Sequence, residues 1–135
     1  MRGVFAGLGI VAIGLISLQL GNVGAQEDAS KPEYFTTKVK PILTTNCGHC
    51  HMGENHRGGL NMDTREGFLK GGHDGAVIVP GDPTKSLIVK LIRHEGPADD
   101  PMPMPPKPHE KLSDADIATI TQWVQAGAVM PPDAQ

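Results

Sequence analysis

The chain reads as an all-α domain with a long irregular middle. Apolar residues recur at helical spacing in three separated stretches, around 35–43, 87–92 and 117–124. Only one short run, Ala76 to Val79, looks extended. Between the helical stretches glycine and proline are crowded, which excludes long regular elements there. Beyond the first 25 residues there are just four aromatics, Tyr34, Phe35, Phe68 and Trp123. That is a thin core for one domain of this size, and a large buried apolar cofactor would help to fill it.

The N-terminus has the outline of a secretory signal peptide over residues 1–25. Arg2 supplies a positive start, Gly3 to Leu20 carries no charge, and Val23-Gly24-Ala25 ends in small residues before Gln26. The alternative is an uncleaved anchor, because the apolar run approaches the length that spans a bilayer. Either outcome places the rest of the chain in the periplasm or outside the cell. Residues 26–33 read as a flexible leader, residues 34–130 as the domain and residues 131–135 as a tail.

Pro32 suits a first helical turn, and Phe35, Val39, Ile42 and Leu43 predict a helix over about 32–45, with Pro41 as a potential kink. A cysteine motif follows directly. Asp63 to Leu69 predicts a short helix stopped by Gly71-Gly72. Asp82-Pro83 reads as an N-cap and first turn, and Leu87, Ile88, Leu91 and Ile92 then predict a helix over about 83–94, stopped by Gly96-Pro97. Residues 97–108 hold six prolines, so they are neither helix nor central strand. Ser113 and Asp116 resemble a capping box, Ile117, Ile120, Trp123 and Val124 form one face, and Gly127 ends the element, giving a helix over about 114–126. No internal repeat is visible. The formal net charge of −3, with no basic patch, argues against nucleic-acid binding.

The chemistry concentrates in Asn46-Cys47-Gly48-His49-Cys50-His51. CGHC alone is a thiol–disulfide redox centre, whereas C-x-x-C-H is an attachment site for a c-type haem. A thioredoxin-like site sits within a βαβ pattern, and the residues before Cys47 follow a helical one. A structural zinc site wants four ligands, and a second cysteine pair is missing. The haem reading uses all three residues: Cys47 and Cys50 as thioether anchors and His51 as a ligand to iron. An electron carrier needs a second ligand. Met104, on the proline-rich segment, is the leading candidate, and Met102 is the alternative. Flanking prolines preclude packing of either methionine on a helix. His49 lies in the motif gap, His73 in a Gly-rich turn, His94 at a helix end, and His109 near the distal segment as a rival ligand.

Residues 34–130 resemble class I mono-haem cytochromes c, most closely the planctomycete-type domains. The resemblance rests on Val39-Lys40-Pro41-Ile42-Leu43 before Cys47-Gly48-His49-Cys50-His51, on Gly71-Gly72-His73-Asp74-Gly75 and on Val79-Pro80-Gly81-Asp82-Pro83. It continues in Met104-Pro105-Pro106-Lys107 and in Trp123-Val124-Gln125-Ala126-Gly127-Ala128. It implies a class I cytochrome c-like fold, with N- and C-terminal helices packed around one covalent haem c and Phe35 meeting Trp123 or Val124. It also implies Cys47 and Cys50 as anchors, His51 as proximal ligand and Met104 as distal ligand. The function expected is one-electron transfer to a redox protein or membrane respiratory complex, rather than catalysis. Gas binding or peroxide chemistry at the haem is the alternative, and a CGHC thiol oxidoreductase a minor one. Peroxidases of the cytochrome type generally need a second haem, and there is one C-x-x-C-H.

Overall fold

The computed structural model describes residues 27–96 and 102–133. Among these are α1 (Pro32–Tyr34), α2 (Lys40–His51), α3 (Arg65–Lys70), α4 (Leu87–Ile92) and α5 (Asp114–Gln125). A π-helical turn, Phe35–Val39, joins α1 to α2, and a 3-10 turn covers Arg57–Gly59. The described residues contain no strand, only one isolated antiparallel bridge between Gly72 and Gly75. The predicted signal segment lies outside the described residues. No described helix is long and apolar enough to cross a membrane. Within the leader expected over 26–33, Ala29 is buried and Lys31 N donates to Asp28 O.

The first helical rod departs from expectation in two ways, and Pro41 explains one of them. A proline in a helix removes an amide and crowds the carbonyl four residues back. Here the ladder widens just before it: Lys40 N–H donates to Phe35 O, five residues back, and Pro41 then falls in the first turn of α2. The kink is thus taken up by an extra residue in one turn. The rod also runs past the predicted end at residue 45 to His51, so the cysteine motif lies inside the helix. Thr44, Thr45 and Asn46 hide this in the sequence because they break the apolar pattern. Yet Val39, Leu43 and Cys47 follow one another at steps of four along one face.

α3 begins one residue after Thr64, whose Oγ1 accepts from Gly67 N at 3.0 Å, and ends at Gly71, where φ is +82°. Residues 76–79 form no strand. Their main chain is tied to the next segment instead: Ile88 N donates to Val77 O at 2.9 Å, and Val79 N to Ser86 Oγ at 2.8 Å. The helix predicted over 83–94 is shorter, Leu87–Ile92. Asp82 does cap, but it caps a turn: its carboxylate accepts from Thr84 N at 3.0 Å and Lys85 N at 3.1 Å. Ser86 then stands at the N-terminus of α4.

α5 starts at the predicted cap. Ser113 Oγ accepts from Asp116 N at 3.1 Å and donates to Asp116 Oδ2 at 2.8 Å. The helix packs on the π-helical turn and on α4. Ile120, Trp123 and Val124 are fully buried, together with Val39, Leu43, Phe68, Val89 and Ile92. Phe35 meets Trp123 at 5.3 Å between ring centroids, and Phe68 stacks on the same indole at 6.0 Å. Trp123 Nε1 donates to Val129 O at 2.9 Å, so its one polar atom is satisfied. Tyr34 Oη donates to Gln122 Oε1 at 3.2 Å and adds a polar tie between the same elements. Three of the four aromatics beyond residue 25 therefore gather at one crossing, where each buried ring contributes about 1.5–3 kcal/mol from area alone.

Candidate functional site

Cys47, Cys50 and His51 stand at positions i, i+3 and i+4 of one α-helix. That spacing brings three side chains to one face within a single turn. The face opens into a cavity of about 530 Å³, within the range of small-molecule and cofactor sites. The same cavity is lined by Leu87, Ile88, Leu91 and Ile92 of α4 and by Val77. Leu60 and Met62, from the loop after the motif, close one side, and Gly72 and Gly75 of the bridged turn contribute bare backbone. Met102, Met104, Pro105 and Pro106 form the distal wall, and His109, Glu110, Lys111 and Leu112 lead towards the start of α5.

The loop after the motif is held down at several points. Met62 N donates to His51 O at 2.9 Å. Asp63 Oδ2 accepts from Gly53 N at 2.8 Å and pairs with His56 Nε2 at 3.1 Å. His73 N donates to Gly58 O at 2.7 Å and joins this loop to the Gly-rich turn. In that turn Gly71 is required: its φ is +82°, and a Cβ there would collide with the Gly75 carbonyl oxygen.

His51 is half-buried, and its Nδ1 is buried without a hydrogen-bond partner. Burial pushes its pKa below the ordinary imidazole value, while the nearby main chain of Arg57 and Leu60 pulls the other way. A neutral imidazole leaves one ring nitrogen as a lone-pair donor to a metal. The Cys47 thiol is pushed up to about 11, first by burial and then by the neighbouring Cys50. A disulfide-exchange nucleophile needs the opposite, a thiol pKa drawn down so that thiolate is available. The geometry therefore favours the iron reading of the motif over the sulfur reading.

The residues fit a haem. Two thiols and an imidazole on one helical turn, apolar walls, and thioethers across the cavity match the anchors, ligands and edge that such a group presents. His51 Nδ1 is a buried polar atom that no described protein group satisfies, which leaves the imidazole with a ring nitrogen unengaged by the chain. Both Met102 and Met104 reach the cavity, and both are half-buried. Met104 N donates to Leu91 O at 3.1 Å, which ties its backbone to the end of α4. The Met104–Pro105 and Lys107–Pro108 peptides are cis. His109 is an exposed residue at the mouth, and His49 is exposed on α2. His73 and His94 do not line the cavity. Among the described residues, no group of three His, Cys, Asp or Glu side chains is placed to hold a metal ion by itself.

Two supporting residues escaped the sequence reading. Ser86 is fully buried, and its hydroxyl accepts from Val79 N and donates to Asp82 O at 2.8 Å, fixing the wall strand of chain that carries Val77. Its signal was a polar residue directly before an apolar helical face, which is an N-terminal position. Asp63 left no comparable signal, because its partners lie ten and seven residues back in an irregular loop.

The family model described as Planctomycete cytochrome C matches residues 47–108, the interval from the first cysteine to the end of the distal segment. No curated protein and no solved structure matches the chain.

Proposed function

We propose that this chain, whose residues 47–108 match the planctomycete cytochrome c family model, is an exported one-electron carrier with a single covalent haem and His/Met axial ligation. The match supports covalent haem and electron transfer rather than catalysis. The finer reading is supported by one observation above the others: Cys47, Cys50 and His51 share one helical turn and line the same cavity as Met104. The fold read here is that of class I cytochromes c, supported by the crossing of the first helical rod and α5 at Phe35 and Trp123.

Haem c, when bound, supplies an iron that gains and loses one electron. Everything else is done by the chain. Cys47 and Cys50 each add a thiol across one vinyl group, sulfur to one carbon and hydrogen to the other, with no net oxidation. His51, whose own carbonyl is held by Met62 N, would supply a ring nitrogen to the iron. Met104, whose backbone is tied to Leu91 O, would supply a thioether. Methionine ligation raises the potential relative to harder axial ligands. Leu60, Ile88, Leu91 and Leu112 exclude water from the macrocycle faces. With both axial positions filled by side chains, the site passes electrons rather than substrates.

The partner expected is a redox protein or membrane respiratory complex that meets the open mouth near His109 and Lys111 in a small, short-lived contact. The first experiment expresses the protein with the haem-attachment machinery and records a pyridine haemochrome spectrum on the denatured chain. Haem that remains with the polypeptide, with the spectrum of two saturated thioether links, supports the proposal. Free haem, or none, with two titratable thiols refutes it and returns the motif to sulfur chemistry. Carbon monoxide binding by the untreated reduced protein would favour the gas-binding alternative.

A further inference from the structure

The distal wall contains one sulfur more than an axial site needs. Met102 and Met104 are both half-buried and both line the cavity that holds His51. Pro103, Pro105, Pro106 and Pro108 have no N–H to anchor the segment around them. Among the described residues the segment is tied to α4 by the hydrogen bond from Met104 N to Leu91 O at 3.1 Å. Exchanging Met104 for Met102 at the cavity breaks that bond and replaces one thioether by another.

We propose that Met102 is a reserve axial ligand, which takes the distal position when Met104 is absent from it. The proposal rests on the haem reading above and deepens it. Met104 is the resting ligand because the shift away from it sacrifices the bond to Leu91. Met102 waits one proline away, with the same donor chemistry and the same access to the cavity. The consequence is a distal site that stays closed to small ligands even when its first thioether is lost. A methionine packed only as filler would give no such protection.

The test uses four haem-loaded proteins: wild type, Met102→Ala, Met104→Ala and the double variant. Two quantities are read, the absorption band of thioether-ligated ferric iron and the affinity for imidazole as an external ligand. Wild type and Met102→Ala should agree in both. Met104→Ala should keep a thioether band and bind imidazole about tenfold more tightly than wild type, the factor expected from losing one backbone hydrogen bond in the competing internal ligand. The double variant should lose the band and bind imidazole far more tightly again. If Met104→Ala matches the double variant, the reserve role is wrong while methionine ligation stands. Loss of the band in Met102→Ala alone also overturns it, since Met102 would then be the resting ligand. A double variant that matches wild type refutes methionine ligation itself, and the reserve role with it.

Discussion

Replacing Ser86 by alanine should destabilise this protein more than any other single-oxygen deletion at a helix start. The side chain is fully buried, and its hydroxyl serves two partners: it accepts from Val79 N at 2.8 Å and donates to Asp82 O at 2.8 Å. Alanine leaves the Val79 amide without a partner in a place water does not reach easily. An unsatisfied buried donor costs about 1–3 kcal/mol, and the lost bond to Asp82 adds about 1 kcal/mol. The expected total is about 2–4 kcal/mol, or a fall in Tm of about 10–20 °C for a domain of this size. Ser113→Ala is the control. It also removes a hydroxyl that caps a helix, but at an exposed site, where the usual loss is about 1 kcal/mol. Both variants would be unfolded by heat and by guanidinium in the haem-loaded form, followed by far-ultraviolet circular dichroism. Covalent haem stays with the chain in both states, so ligand dissociation does not enter the comparison. A Ser86→Ala variant no less stable than Ser113→Ala would refute the argument, because it would mean that Val79 N finds another partner. The same variant should loosen the wall at Val77, whose carbonyl is held by Ile88 N.

Three further outcomes follow from the packing and the charges. Trp123→Ala removes the ring on which Phe35 and Phe68 converge and should cost about 3–5 kcal/mol in the same unfolding assay; a loss under about 1 kcal/mol would show that the crossing does not depend on it. Gly71→Ala places a Cβ against the Gly75 carbonyl at a φ of +82°, and should cost about 3 kcal/mol or more and reduce the yield of haem-loaded protein; wild-type stability would contradict the turn geometry. The Asp82 carboxyl is held at about 2 against an ordinary 3.8, first by the Thr84 side chain and then by Lys85. A carboxylate with a lowered folded-state pKa adds stability above pH 3.8 and loses it as pH falls towards 2. Wild type and Asp82→Asn should therefore differ in stability at pH 6 and draw together as pH falls from about 4 through 2, and a difference undiminished between pH 6 and pH 2 would assign the effect to something other than this charge.

How legible the molecule was depended on which force fixed each part. α5 was readable because cap, apolar face and terminating glycine all agree: Ser113, then Ile117, Ile120, Trp123 and Val124, then Gly127. The meeting of Phe35 with Trp123 was expected from resemblance, whereas the stack of Phe68 on the same ring was not, since nothing local links positions 68 and 123. The length of the first rod was hidden because residues 44–46 are polar and face outward. Asp82 misled as a helix cap because an Asx turn and a helix N-cap share their first hydrogen bonds, and only tertiary contacts placed the true start at Ser86–Leu87. The run expected to be extended is no strand: Val77 and Ile78 are buried, and the Val77 carbonyl accepts from Ile88 N on α4's first turn. In the site, the chemistry was legible as letters in C-x-x-C-H and Met-Pro-Met-Pro-Pro. What letters could not carry was the helical turn that aims the first motif, and the anchoring of the second at Leu91.

The π-helical turn at Phe35–Val39 sets the angular phase of the rod it interrupts. One added residue advances a helix by about 100°, so the half before the turn is rotated by that amount against the half after it. The forward half, α1, delivers the Tyr34 hydroxyl to Gln122 of α5, and the rear half delivers two thiols and an imidazole to the cavity. The two aims are thereby set independently on what is otherwise one rigid shaft. Deleting a single residue from the turn would leave both halves helical and both sets of side chains intact, yet out of gear, with docking and cofactor attachment no longer satisfied at once.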